Sequence, residues 1–330
     1  MKTWTVREFG PFRHVLRLEN QPLPAVTNGC ALIQVRAADI NFPDLLMIAG
    51  KYQVRPELPF TPGLAVAGEL VEGGQVAGLT IGDRVVCPLP FGGFREYLCV
   101  PSQDVFPIPP SMSETEAAAF FLTFQTAWFA LRKARLAAGE TLLVHAGASG
   151  VGTAAIQYGK ALGALVIATA GGPEKVELCR RLGADLAIDS GGEDFVAAVQ
   201  EITQGGGADV IFDPVGGEVF DRSLRCIAWE GRILPIGFTS GNIPTIRANR
   251  VLLKNIAVLG MYWTTYWTNA PQEVRRAHGE LVELYEQGRI APVIDRRYPL
   301  EELPQALAAL ERRECRGKVV LAVGSRVTVR

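Results

Sequence analysis

Hydrophobic and polar positions alternate in two different ways along this chain, and the pattern changes near residue 118. Before that point the apolar runs are short and are separated by proline and glycine, as in ALIQVRA (31–37), GDRVVCPL (82–89) and FREYLCV (94–100). Short strands divided by turn residues are typical of antiparallel sheets. We therefore predict a mainly antiparallel β-domain in the form of a distorted barrel.

The second pattern begins with a long helical segment and continues as an alternation. The segment 113–136, SETEAAAFFLTFQTAWFALRKARL, predicts a helix with an interruption near 122–125. From residue 141 onward, six apolar runs alternate with helical segments: TLLVH, ALVIAT, LAID, DVIFD, RILPIG and IAVLGM. Because helices that join parallel strands must cover both faces of a sheet, the alternation predicts an α/β fold with a doubly wound parallel sheet.

The tail after about residue 264 has a different pattern. It gives a helix, a short strand near RRYPL, a second helix and a terminal strand, GKVVLAV. These elements do not extend the six-strand alternation, so we expect the tail to return to the N-terminal domain.

Composition narrows the classes of function. The 330 residues exceed one typical core, which favours two domains. A net charge of −1, from 33 basic and 34 acidic side chains, attracts neither nucleic acid nor an anionic membrane. The opening residues MKTWTVREFG lack the apolar region of a signal peptide, and no run is long enough for a spanning helix. We expect a cytoplasmic protein with no nucleic-acid or membrane partner.

Cysteine and histidine give no sign of a metal site. The six cysteines lack CxxC spacing in a chain that needs no disulfide framework, so we expect buried thiols. The three histidines form no spaced set with cysteine or carboxylate that resembles a zinc site.

The segment LLVHAGASGVGTAAIQYGK (142–160) carries the first sign of chemistry. It runs from an apolar strand through a small-residue turn into a helical pattern. Gly147 and Gly152 match the first and third glycines of the GxGxxG spacing, and Ser149 occupies the middle position. A helix start presents unpaired N–H groups and a partial positive charge, which receive a pyrophosphate when no side chain blocks the approach. After the first strand of an alternating fold, this turn predicts dinucleotide binding.

The end of the second predicted strand indicates which dinucleotide the chain binds. NAD-preferring folds place an acid there to bind the ribose 2′-hydroxyl, whereas this chain has ATAGGPEK without a carboxylate at Gly171 or Gly172. Lys175 follows on the next turn, with Arg180 and Arg181 nearby. This arrangement favours NADPH over NADH. The alternative is that Lys175 is a solvated helix cation.

Several of these segments resemble a known family. VHAGASGVGTAAIQ, GKALGALVIATAGGPEKVELCRRLGADLAID, GADVIFDPVGG and the terminal RGKVVLAV resemble the zinc-free quinone oxidoreductase branch (zeta-crystallin type) of the medium-chain dehydrogenase/reductase superfamily. INFPDLLMIAGKY and LPFTPGLAVAGEL extend the likeness into the N-terminal domain. The resemblance implies a GroES-like catalytic domain (1–121 and 265–330), a Rossmann domain (122–264) and a homodimer.

The resemblance also implies chemistry without a metal. Zinc-dependent relatives carry a catalytic cysteine near position 39 and a Gly-His-Glu further on, whereas this chain has Asp39 and Gly63-Leu64-Ala65. The region where a four-cysteine lobe is expected contributes only Cys99. Leucine and alanine cannot hold zinc, so alcohol oxidation by metal polarisation is disfavoured.

Hydride transfer without a Lewis acid needs hydrogen-bond donors where negative charge develops on oxygen. Quinones and activated enones suit such a site because conjugation spreads the charge. The resemblance implies that Asn41, Asp44 and Tyr52 are pocket residues. The Asn41 amide donates to the substrate or the ribose, and the Tyr52 phenol donates to the nascent oxyanion. The alternatives are an Asx-turn for Asn41, a helix-face acid for Asp44 and a half-buried surface ring for Tyr52.

The same resemblance and the strand ends imply a set of cofactor contacts. Ser149, Gly150 and Val151 are expected at the pyrophosphate, and Gly171 and Lys175 at the adenosine ribose and its phosphate. The remaining expected contacts are Asn41, Thr126, Val215, Gly237, Phe238, Met261 and Trp263. For Thr126 the alternative is helix packing, and for the segment 261–263 it is packing at a domain or dimer interface.

One departure from the family pattern weakens the predicted preference for NADPH, and one histidine is not expected to take part in catalysis. Relatives often carry Asn-Tyr after the third strand, with the tyrosine near the 2′-phosphate, and this chain has Asp189-Ser190. The change loses one contact and adds an acid. His145, at the end of the first strand, is expected to be a packed core histidine rather than a catalyst.

Together these observations predict an NADPH-dependent, metal-free reductase of quinones or activated enones. Two alternatives stay open: a reductase of enoyl thioesters, and an NADPH-binding protein without turnover, such as a redox sensor.

Overall fold

The computed structural model describes residues 1–73 and 78–324 and divides the chain into two compact units. One unit comprises Met1–Leu122 and the residues from Pro292 onward, and the other comprises Thr123–Ala291. The division at 122/123 lies one residue from the expected one. The second division, at 291/292, lies further along the chain than the expected 264/265.

The N-terminal unit is built from short strands and few helices. Its elements are β1 (Lys2–Val6), α1 (Phe12–Val15), β2 (Leu16–Asn20), β3 (Cys30–Ile40), α2 (Phe42–Ile48), β4 (Ala65–Gly73), β5 (Arg84–Pro88), β6 (Tyr97–Pro101) and β7 (Phe106–Pro107). The long strand β3 pairs antiparallel with both β4 and β6. Apolar side chains of β3 that alternate with polar ones, such as Ile33 and Val35, lie in the core of this unit.

Helix α3 (Glu114–Lys133) leads from this unit into the next. It is continuous, so the predicted interruption near 122–125 is wrong. The four residues Leu-Thr-Phe-Gln contain no proline or glycine that breaks a helix, and Phe124 and Gln125 are buried. Buried polar groups inside the apolar stripe weakened the helical pattern without interrupting the backbone.

The second unit alternates strands and helices as the sequence predicts. Its elements are β8 (Thr141–Val144), α4 (Gly150–Ala161), β9 (Leu165–Ala170), α5 (Pro173–Arg181), β10 (Leu186–Asp189), α6 (Phe195–Ile202), β11 (Ala208–Asp213), α7 (Gly217–Cys226), β12 (Ile227–Pro235), α8 (Ala248–Lys254), β13 (Ala257–Val258), α9 (Trp263–Asn269) and α10 (Pro271–Glu286). The strands are parallel and lie in the order β10-β9-β8-β11-β12-β13. This is the doubly wound order, in which ligands bind where the direction reverses, here between β8 and β11.

Contacts of helix α10 explain why the second division between the units lies after residue 291 rather than after the expected residue 264. The Gln125 amide of α3 donates to the Val274 carbonyl of α10 at 3.0 Å, and the Trp128 indole donates to Glu280 at 2.8 Å. These contacts place α9 and α10 in the same unit as most of α3. The pairing of two helices separated by about half the chain cannot be read from local periodicity.

The last described elements are β14 (Ile294–Pro299), α11 (Leu303–Glu311) and β15 (Lys318–Ala322). Strand β15 pairs antiparallel with β3, with Val319 opposite Ile40, and parallel with β14. The tail therefore returns to the N-terminal unit, whose main sheet has the order β14-β15-β3-β4-β5-β7 and is mainly antiparallel. In the described ranges, 1–73 and 78–324, no helix has both the length and the apolarity to cross a membrane.

Candidate functional site

The turn between β8 and α4 is held tightly against the neighbouring strand. The backbone N–H of Gly147 donates to the Thr169 carbonyl of β9 at 2.8 Å. A Cβ on Gly147 would lie 2.8 Å from the Cys179 sulfur and 3.0 Å from the Ala168 methyl. The first glycine of the motif is thus required by packing, and it fixes the path of the chain into α4.

The third glycine is required by the turn itself. A Cβ on Gly152 would lie 2.2 Å from the Ala146 carbonyl oxygen and 2.8 Å from the Gly147 Cα. Ser149 is the N-cap of α4, and its Oγ accepts a hydrogen bond from the Gly152 N–H at 3.1 Å. The Ser149 hydroxyl proton is not used in that bond. The N–H groups of Gly150 and Val151 have no acceptor within the helix, since they belong to its first turn.

The end of β9 carries a second small-residue turn. Gly171 is exposed, and Gly172 has φ +84°, a conformation that favours glycine, at the N-cap of α5. Lys175 lies half-buried in the first turn of α5. A cation at this position opposes the helix dipole, which favours anions there.

Asp189, at the end of β10, is tied to the same turn. Its Oδ1 accepts hydrogen bonds at 2.9 Å from the backbone N–H groups of Gly172 and Gly191. These bonds lower the pKa of the Asp189 carboxyl, the Gly172 bond first. Asp189, which stands where relatives often carry Asn, thus holds the Gly171-Gly172 turn in place and adds a negative charge beside it.

The carboxyl end of β11 faces the point where the strand order reverses. Asp213 is fully buried, and its Oδ1 accepts from the N–H groups of Val215 at 2.8 Å and Gly216 at 3.0 Å. Burial raises the pKa of the Asp213 carboxyl. Sequence reasoning singled out Val215 and missed Asp213, which shapes the turn. Gly237 and Phe238, after β12, are half-buried.

The contacts of the segment after β13 favour packing over direct contact with the cofactor. Met261 and Trp263 are buried, and the Trp263 indole N–H donates to Gln125 at 3.4 Å while its ring stacks on Trp267. The indole N–H is therefore engaged by α3. Thr126, next to Gln125, is half-buried on α3.

His145 is a neutral structural residue. Its Nε2 lies 2.8 Å from Ser223 Oγ and its Nδ1 lies 3.0 Å from Thr169 Oγ1. Because the Ser223 hydroxyl donates to the Val219 carbonyl at 2.7 Å, Nε2 must be the protonated nitrogen. Burial, with a smaller effect of Arg222, lowers the pKa of His145 to about 3. These contacts agree with the expected packed core histidine.

A second group of polar side chains lies in the N-terminal unit, where β3 ends and α2 begins. Asn41 is the N-cap of α2, and its backbone N–H donates to Asp44 Oδ2 at 2.8 Å. Asp44 Oδ1 accepts from the Gly63 N–H at 3.0 Å. Asp44 is fully buried, and desolvation raises the pKa of its carboxyl to about 7. Both oxygens serve backbone amides, so Asp44 positions Asn41 and is not itself open to a ligand.

The Asn41 side chain is held from the other side by a lysine. Lys318 Nζ, at the start of β15, donates to Asn41 Oδ1 at 2.6 Å, and it also contacts Asp39 Oδ2 at 3.1 Å. The amide nitrogen Nδ2 of Asn41 is buried and has no hydrogen-bond acceptor among the described residues. Tyr52 is half-buried against the core of this unit. Lys318 was missed at the sequence level, where its only signal was a charge at the start of a buried apolar strand.

Comparison with known proteins places this chain in a family. Residues 27–110 match the alcohol dehydrogenase GroES-like domain, and residues 150–282 match the zinc-binding dehydrogenase family. A quinone oxidoreductase-like protein 2 homolog from Nematostella vectensis is 40% identical over 88% of this chain and 80% of its own length. This chain belongs to the quinone oxidoreductase branch of the medium-chain dehydrogenase/reductase superfamily. Membership in this family makes it an oxidoreductase.

Solved structures of the family have the same fold. Quinone oxidoreductase from Escherichia coli, complexed with NADPH, aligns with a TM-score of 0.91 at 29% identity over 98% of this chain and 100% of that chain. The enzyme from Thermus thermophilus, also determined with NADPH, aligns with a TM-score of 0.84 at 34% identity over 98% of this chain and 100% of that chain. The predicted α/β fold, a Rossmann sheet with a mainly antiparallel GroES-like domain, is confirmed.

The residues of this family member do not fit a zinc ion, although one matched family is described as zinc-binding. Asp39 is buried in an ion pair with Lys318, and Gly63-Leu64-Ala65 offer no side-chain ligand. Within residues 1–73 and 78–324, no three histidine, cysteine or acidic side chains come together in a way that holds a metal.

Proposed function

We propose that this oxidoreductase binds NADPH and reduces quinones or activated enones without a metal ion. NADPH, when bound, supplies a hydride from nicotinamide C4 to the conjugated acceptor, and a proton from water or Tyr52 completes the reduced product. The observation that carries the proposal is the β8–α4 turn, where Gly147 and Gly152 admit no side chain. NADPH-bound relatives of the same fold support it.

The pyrophosphate is proposed to lie at the start of α4. The N–H groups of Gly150 and Val151, which have no acceptor within the helix, and the helix dipole favour an anion, and the Ser149 hydroxyl is able to donate a further hydrogen bond. Val215, Gly237 and Phe238 follow the strands on the other side of the reversal point, where such sheets bind ligands. The same proposal assigns Thr126, Met261 and Trp263 to the surroundings of the cofactor, the last two through packing.

The 2′-phosphate is proposed to lie at the Gly171-Gly172 turn with Lys175. Gly171 and Gly172, directly after β9, carry no carboxylate to receive a ribose hydroxyl, and Lys175 supplies a cation in the first turn of α5. The Asp189 carboxylate accepts two backbone amides, which occupy one of its oxygens. We therefore propose a preference for NADPH over NADH that the negative charge of Asp189 moderates.

The acceptor is proposed to meet Asn41 and Tyr52. The buried amide nitrogen of Asn41 has no acceptor in the part of the chain that the structure describes, and such an N–H donor stabilises charge developing on a carbonyl oxygen. The Tyr52 phenol is a second donor. Asp44 fixes the backbone of Asn41, so we assign it a positioning role.

One activity panel separates the proposed function from its alternatives. Purified protein is mixed with NADPH and either 1,4-benzoquinone or crotonyl thioester, and cofactor oxidation is followed by absorbance. We expect turnover of the quinone. Turnover of the thioester alone would instead identify an enoyl-thioester reductase. Tight NADPH binding with no acceptor reduced in a broad panel would identify a non-catalytic sensor.

We also propose a homodimer that works in the cytoplasm. Four apolar side chains in the chain segment that leads into the edge strand β13, or on that strand, are exposed: Ile243, Leu252, Leu253 and Val258. Exposed apolar side chains that cluster on a surface are typical of an interface between subunits. All six cysteines are free, as expected in a reducing compartment.

A further inference from the structure

Lys318 and Asp39 form a buried ion pair that lies beside the proposed donor Asn41. The lysine and aspartate side chains are 5% and 0% exposed. A buried ion pair is expensive to desolvate and is a weak reason for stability by itself. Its position beside Asn41 therefore needs an explanation.

Lys318 and Asn41 come together because the C-terminal strand β15 pairs with β3. Strand β15 runs antiparallel to β3, with Val320 opposite Asp39 and Val319 opposite Ile40. The next residue, Lys318, consequently lies beside the point where β3 passes into α2. Its ammonium group is thereby placed at the side chain of Asn41.

All three N–H bonds of the Lys318 ammonium group are engaged. They point to Asp39 Oδ2 at 3.1 Å, to the Ile40 carbonyl at 2.9 Å and to Asn41 Oδ1 at 2.6 Å. Because an ammonium group only donates, the Asn41 atom that it contacts is the oxygen. The Asn41 amide is therefore fixed with its nitrogen turned away from Lys318. That nitrogen is buried and has no acceptor among residues 1–73 and 78–324.

The charge of the lysine also changes the amide electronically. A cation at the amide oxygen draws electron density from the nitrogen, and hydrogen bonds in a chain strengthen one another in a low-dielectric site. The N–H of Asn41 thus becomes a stronger donor than a free amide. The Asp39 carboxylate compensates the lysine, which permits the charge to be buried.

We propose that Lys318, compensated by Asp39, is a positioning residue that orients and polarises Asn41 as the donor to the acceptor oxygen. The inference rests on the proposed function, because it needs an acceptor on which negative charge develops. Lys318 acts here through Asn41 without touching the acceptor. The pair supplies part of the electrophilic assistance that a metal provides in zinc-dependent relatives.

The first test is a double-mutant cycle on quinone reduction. The variant Asp39→Leu/Lys318→Met replaces the ion pair by apolar groups of similar length, a change that buried ion pairs often tolerate. We expect its kcat to fall about tenfold to a hundredfold with little change in KM for NADPH. In an Asn41→Ala background the same replacement should lower kcat no further, since its effect on the acceptor passes through Asn41. Additive losses would overturn the inference.

Controls separate the proposal from a loss of folding. Lys160→Met removes another lysine–aspartate pair, which Lys160 forms with Asp185 at 2.8 Å, and should leave kcat within about twofold of the wild type. Asp39→Asn/Lys318→Gln keeps a hydrogen-bond donor beside Asn41 without the charge and serves if the apolar variant is unstable. It too should lower kcat, whereas wild-type kcat in this variant would contradict polarisation by charge.

The second test needs no turnover and so distinguishes the inference from the proposed function. p-Nitrophenolate carries an oxyanion like the one that develops on the acceptor, and its absorbance reports binding in the presence of NADP⁺. We expect wild-type protein to bind it about tenfold more tightly than Asp39→Leu/Lys318→Met does. If no acceptor is reduced but this difference remains, the proposed function fails, while the orientation and polarisation of Asn41 by Lys318 are still supported. Equal affinities would overturn the inference even with quinone turnover intact.

Discussion

Lys175 is the residue whose charge most directly distinguishes the two pyridine nucleotides. An ammonium group paired with the 2′-phosphate stabilises NADPH and has no partner in NADH. We expect Lys175→Ala to weaken NADPH binding about tenfold or more and to change NADH binding less than about twofold, as measured by calorimetric titration. Arg225→Ala removes an equal charge from the exposed last turn of α7 and should change the affinity for neither nucleotide. Equal losses for both nucleotides in Lys175→Ala would reject the assignment.

Tyr52 tests whether the acceptor meets a second donor. If the phenol donates to the oxyanion only as charge develops, Tyr52→Phe lowers kcat and leaves KM nearly unchanged. We expect a fall of about tenfold or more in steady-state quinone reduction. Unaltered kinetics would assign Tyr52 to core packing alone.

His145 should make stability depend on pH below neutrality. Its pKa is lowered to about 3 in the fold, against 6.5 when unfolded, so the unfolded chain binds one more proton between these values. Stability from this residue is therefore present above pH 6.5 and is lost by about 1.4 kcal/mol per pH unit as pH falls toward 3.

The measurement is chemical denaturation of wild type and His145→Gln from pH 7 to pH 4.5. We expect the variant to lose this one-proton dependence. Asp44, whose pKa is raised to about 7, acts with the opposite sign: its contribution is lost as pH rises from 3.8 through 7. Identical slopes for wild type and His145→Gln would show that the histidine is not buried neutral.

At the scale of elements, the β8–α4 turn depends on a glycine that no side chain can replace. The Cβ of Gly152→Ala would meet the Ala146 carbonyl at 2.2 Å, so the turn must move. We expect NADPH affinity to fall at least about tenfold in fluorescence titrations. Gly279→Ala, in α10 with nothing within 4 Å of the new methyl, is the matched control and should stabilise the fold by up to about 1 kcal/mol. Unchanged NADPH affinity in Gly152→Ala would remove the pyrophosphate from this turn.

Elements with strong local periodicity were predictable from sequence. LAID is β10 within the same bounds, Leu186–Asp189. Helices α8 and α9 were missed, because α8 buries none of its side chains and α9 follows a strand of two residues. No buried stripe marks α8, and in α9 the helical spacing of Trp263, Tyr266 and Trp267 is confined to seven residues.

The N-terminal polar group could be predicted only in part. Asn41, Asp44 and Tyr52 follow from a motif that is continuous in sequence. Lys318 lies 277 positions from Asn41, and only the pairing of β15 with β3 brings it there. A contact of this kind depends on how distant strands pair, which cannot be predicted from local propensity or residue spacing.

At the scale of the whole molecule, the open edge beside β13 predicts association. Leu253 is 77% exposed, and a monomer gains nothing from placing it in water. We expect the wild type to be a dimer by light scattering and Leu253→Glu to shift it toward monomer. Glu201→Lys, an exposed charge change on α6, serves as the control and should remain dimeric. A monomeric wild type would contradict the proposed homodimer.

We propose above all that this chain uses NADPH to reduce a conjugated carbonyl without a metal. It is tested most directly by NADPH oxidation with 1,4-benzoquinone, using protein dialysed against a chelator and checked for zinc by elemental analysis. The account predicts full turnover of the zinc-free protein and a preference for NADPH over NADH. Turnover that appears only when zinc is added, or no oxidation of either nucleotide, would contradict it.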